Sequence, residues 1–62
     1  MSRQWDQAVT QHIARYYEEL TGRIQLTFLT EAEEDALLVM YREGVKPLVA
    51  ANRIIDGRKK QP

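Results

Sequence analysis

Arg23-Ile24-Gln25-Leu26-Thr27-Phe28 is the stretch on which the reading of the fold turns. Ile24, Leu26 and Phe28 alternate with Arg23, Gln25 and Thr27, a period of two that predicts a strand with one apolar and one polar face. No other stretch alternates in this way, so a strand here has no pairing partner in its own chain. Its unpaired backbone groups are costly if buried and adhesive if exposed. The same strand from a second copy is the simplest remedy.

On either side of this stretch the period changes to that of a helix. Between Arg3 and Leu20 the apolar residues Trp5, Ala8, Val9, Ile13, Tyr16 and Leu20 recur at helical spacing, with Ser2 placed to cap the start and Gly22 to close the end near Thr21. Thr30 opens a second helix, because Thr30 and Glu33 have the capping-box spacing and Glu31, Glu33, Glu34 and Asp35 put negative charge at the positive end of the dipole. Gly44 ends it, with Val45 placed as the partner of Met40 in a Schellman cap. Lys46-Pro47 starts a third helix, whose face of Leu48, Ala50, Ala51, Ile54 and Ile55 runs to Gly57. The sequence thus predicts a mainly α chain of three helices with one short strand between the first and second. Residues 1–57 form one small helical domain and 58–62 a basic, flexible tail.

With 62 residues the chain buries only about 60% of its unfolded surface, and it has no cysteine to staple it. Oligomerisation is the remaining support, which again points to a dimer. The single histidine excludes a zinc site of the usual Cys/His kind. No apolar run approaches the roughly 20 residues of a membrane span, and Met1 to Asp6 lack the apolar stretch of a secretion signal, so a cytoplasmic protein without membrane contact is expected. The net charge is zero but unevenly spread: residues 1–45 hold four basic and eight acidic side chains, residues 46–62 five basic and one acidic.

Catalysis finds no support in the residues. His12 is the one candidate general base, it lies on the apolar stripe of the first helix, and no serine or cysteine is spaced as its nucleophile. It reads as a core-edge residue with one hydrogen bond, and Trp5 and Tyr16 read as core, with Tyr17 at the border of the stripe. The acidic cluster at 31–35 lacks the ligand spacing of a calcium loop, so neither metal nor cofactor is expected. Leu38 falls on the polar side of the second helix and marks an interface. Lys46, just before Pro47, stands where a helix start favours an anion.

A strand of alternating polarity, a capped helix, a loop opened by glycine and a second helix, in that order, resemble the ribbon-helix-helix family of DNA-binding repressors, the Arc and MetJ type, from Arg23 to about Asp56. The resemblance implies an intertwined homodimer whose paired strands enter the major groove. Arg23, Gln25 and Thr27 match the positions that read base edges, Ile24, Leu26 and Phe28 those that join the dimer core, and Lys46 belongs to the loop and helix start that grip a phosphate. Arginine, glutamine and threonine have the hydrogen-bonding chemistry for such reading.

The expected function is therefore a dimeric, sequence-specific regulator of double-stranded DNA: a small repressor, an antitoxin-like regulator or a plasmid accessory factor. The alternative is a non-catalytic helical module that binds a protein partner, as an inhibitor, antitoxin or assembly subunit. Neutral net charge, Leu38 and the apolar excess of the second helix favour it. A helix-turn-helix reader is a third possibility, although the chain ends before a recognition helix is due.

Overall fold

The computed structural model describes residues 2–22 and 29–60. Three helices follow one another: α1, Arg3–Thr21; α2, Glu31–Arg42; and α3, Pro47–Lys59. Local chemistry explains their ends. Ser2 precedes α1 in an extended conformation, and Gly22 closes it at φ 73°, donating its N–H to the Glu18 carbonyl at 2.7 Å. At the start of α2 the capping box is complete: Glu33 N–H donates to Thr30 Oγ1 at 3.1 Å, and Thr30 N–H donates to Glu33 Oε1 at 2.9 Å.

The end of α2 is a Schellman motif. Gly44, at φ 79°, donates to the Tyr41 carbonyl at 3.1 Å and Val45 to the Met40 carbonyl at 3.0 Å. Pro47 is the first residue of α3, where its missing N–H costs nothing. Gly57 does not stop that helix, which continues to Lys59.

Packing runs in a parallel register between α1 and α3. Trp5 Nε1 donates to the Val45 carbonyl at 2.9 Å, His12 Nε2 lies 3.1 Å from Asn52 Oδ1, and Tyr17 and Tyr16 lie beside Arg58 and Lys59. Partners thus stay about 40 residues apart along the whole contact, and α2 runs antiparallel to both. Val9 and Ile13 of α1, Leu37 and Met40 of α2, and Ala50, Ala51, Ile54 and Ile55 of α3 form the core. Ala50 and Ala51 are fully buried, and with only a methyl group each they take little room in that core.

These contacts correct the expected fold class. The described residues contain three helices and no strand, and α1, rather than a ribbon shared between two chains, covers α3. An intertwined ribbon-helix-helix dimer needs its strand to complete the core; here the core is closed by Val9 and Ile13 of the same chain. The stretch 23–28, with the expected base-reading residues Arg23, Gln25 and Thr27 and the expected interface residues Ile24, Leu26 and Phe28, lies outside the described residues. Among the described residues no helix is long and apolar enough to cross a membrane.

Candidate functional site

Where α2 and α3 diverge they leave an open groove of about 530 Å³, lined by Thr30, Ala32, Glu33, Ala36, Arg53, Ile54, Gly57 and Arg58. Its two walls differ in chemistry. Leu37 and Met40 turn the core side of α2 inward, which leaves Ala32, Ala36 and Val39, at intervals of four and three, as one exposed apolar stripe. Val39 is 51% exposed. Along α3, Lys46, Val49, Arg53, Gly57 and Lys60 follow at intervals of three or four, and all five are exposed. Three cations seven residues apart therefore form a basic lip, with Val49, 44% exposed, continuing the apolar surface into it.

Gly57 lies inside α3, where glycine costs about 1 kcal/mol relative to alanine. A Cβ at Gly57 would meet nothing within 4 Å, so no packing within the described fold requires its absence. What glycine does there is widen the groove.

One end of the groove is closed by Arg58, whose guanidinium makes a two-point contact with Glu33: Nε donates to Oε2 at 2.6 Å and the terminal nitrogen to Oε1 at 2.9 Å. The bond from Arg58 holds the Glu33 carboxyl down at about 2, against an ordinary value of 4.5, helped by the Thr30 N–H; partial burial opposes the shift. Arg58 is correspondingly held in its charged form by Glu33, and its guanidinium carbon lies 5.5 Å from the centroid of the Tyr17 ring. One side chain from the stretch expected to be a loose tail thus joins all three helices.

The residues singled out from the sequence are scattered. Lys46 caps α3 without a side-chain bond and stands on the basic lip. Leu38 is half-buried and lies on the side of α2 away from the groove. Trp5, Tyr16 and Tyr17 pack against the core from its edge, and half-buried His12 has the single partner expected of it, Asn52. No group of three or more acidic or histidine side chains that could hold a metal occurs among the described residues. Sequence reasoning missed the basic lip, although its seven-residue spacing is visible, because Lys60 joins Lys46 and Arg53 on one face only if the helix passes through Gly57.

No family model matches the chain, and no curated protein or solved structure is significantly similar to it.

Proposed function

We propose that this chain is a non-catalytic helical module of the cytoplasm that receives an acidic amphipathic helix in the groove between α2 and α3. The observation that carries the reading is a groove in which Ala32 and Ala36 of α2 face Arg53 of α3, with exposed Val39 continuing the apolar stripe and exposed Lys46 and Lys60 flanking Arg53 at seven-residue spacing. An amphipathic helix lays its apolar face on small residues and sets its charged flank against the lip. Among the described residues the three lip cations make no ion pair within the chain, so their charge is free for a ligand.

Fluorescence anisotropy with labelled synthetic helices tests this. One designed peptide carries leucines at helical spacing with a glutamate flank, a second has lysines in place of the glutamates, and a third is scrambled. The acidic peptide alone is expected to bind, more weakly as salt rises. Ala36→Arg, a change at an exposed position of a helix, is expected to weaken it about tenfold or more, about 1.4 kcal/mol, without loss of helicity. Equal binding of all three peptides, or of none, would sink the reading. Binding of a short DNA duplex in place of the peptides would instead favour a nucleic-acid partner for the same lip.

A further inference from the structure

We propose that the helix received by this groove is α2 of a second copy, so that the chain forms a twofold dimer through its α2–α3 face. The inference rests on the groove being a helix-binding site and names its occupant. α2 is itself an acidic amphipathic helix: its exposed stripe of Ala32, Ala36 and Val39 is bordered by Asp35 along one side and ends at Glu43, which follows Val39 on the same line. Among the described residues Asp35 and Glu43, like Lys46 and Arg53, make no ion pair inside the chain; the ion pair present joins Glu33 to Arg58.

That same bridge fixes the levels of the two antiparallel helices. Counting from Glu33 beside Arg58, Asp35 lies within about one turn, roughly 5 Å, of the level of Arg53, and Glu43 within a turn of Lys46. A twofold axis along the groove keeps each residue at its own level while laying α2 of one copy over α3 of the other. It brings Asp35 to Arg53 and Glu43 to Lys46 of the other copy, and Val39 towards Val49. Symmetry then repeats every contact. A helix of unrelated sequence would satisfy the basic lip alone, whereas a second copy also neutralises the acidic border of α2.

Two helices about 18 Å long and about 10 Å apart offer roughly 400 Å² per copy, below the size of a standard interface. The dimer is therefore weak and dependent on concentration. Sedimentation equilibrium of the full chain at low salt is expected to show the average mass rising towards twice the monomer as concentration approaches about 1 mM. Arg53→Asp and Asp35→Arg are each expected to shift this association at least about tenfold, and the two together to restore it, because like charges then face each other in the singles and opposite charges in the double.

Gly57→Glu provides a variant whose folding is not in doubt, since it replaces glycine by a good helix former in open space. It is expected to weaken association while the thermal midpoint stays within a few degrees of the parent's, the gain in helix propensity offsetting the cost of an anion in the last turn. A chain that stays monomeric up to about 1 mM, or one whose association ignores Arg53→Asp and Gly57→Glu, overturns the dimer. If the designed acidic peptide still binds that monomer, the groove reading survives; if it does not, both fall.

Discussion

Trp5→Ala is expected to lower the thermal midpoint by about 10–20 °C, the largest loss of stability from any single change at the edge of the core. The indole fastens the start of α1 to the turn between α2 and α3. Its Nε1 donates to the Val45 carbonyl at 2.9 Å, and its ring meets Tyr41 edge to face, with centroids 5.3 Å apart and planes at 72°. Truncation removes the packing, the hydrogen bond and the aromatic pair together. For a half-buried tryptophan that amounts to about 2–4 kcal/mol, somewhat less than for a fully enclosed one. A chain of this size without disulfide or metal has only a few kcal/mol to lose. Trp5→Phe separates the parts: it keeps a ring and forfeits the bond to Val45, and should cost about 1–2 kcal/mol. Far-ultraviolet circular dichroism on heating reads both. A midpoint for Trp5→Ala within a few degrees of the parent would show that the register between α1 and α3 does not depend on this anchor.

What made Trp5 an anchor was not legible in the sequence, although its place on an apolar stripe was. The helix ends were legible because they are made by neighbours in the chain. Thr30 with Glu33, Gly22, Gly44 with Val45, and Pro47 each state their role within a few residues. The pairing of α1 with α3 depends on residues about 40 apart, and no local pattern encodes such a contact. A hint lay in Ala50-Ala51, two small residues on the face of the third helix that the fold buries completely. The alternation from Arg23 to Phe28 predicts a strand as the organising element, whereas the core of the described residues is drawn from three helices.

Gly57 misled for a different reason. Its propensity penalty, about 1 kcal/mol, is smaller than what the residues beyond it contribute. Arg58 bonds Glu33 and faces Tyr17, and Lys59 Nζ lies 5.0 Å from the centroid of the Tyr16 ring, so the last turn is held from outside. The candidate site depends on that turn. With a helix ending at Gly57, Lys46 and Arg53 are two cations on one face; with one ending at Lys59, Lys60 falls in line as the third.

Arg58→Met is expected to cost about 2–3 kcal/mol and to remove a component of acid sensitivity from the fold. Arg58 and Glu33 are 22% and 16% exposed at the side chain, and their bridge spans from the start of α2 to the end of α3, so both charges are partly desolvated and lean on one another. Methionine keeps much of the apolar stem but leaves the Glu33 carboxylate with only its Thr30 partners. The pH dependence follows from the depressed carboxyl. Glu33 is held at about 2 in the folded chain against an ordinary value of 4.5 in the unfolded one, so its contribution is fully present above about 4.5 and is lost as pH falls towards 2. In Arg58→Met the folded value moves back up, and this part of the acid destabilisation shrinks. Glu33→Gln should cost a similar amount, because it leaves a partly covered guanidinium without its anion, and should likewise flatten the acid limb. Denaturant midpoints at pH 7 and pH 3 for the parent and both variants test the scheme. Variants that lose stability equally at the two pH values would mean that Arg58 acts through packing on Tyr17 and not through the Glu33 charge.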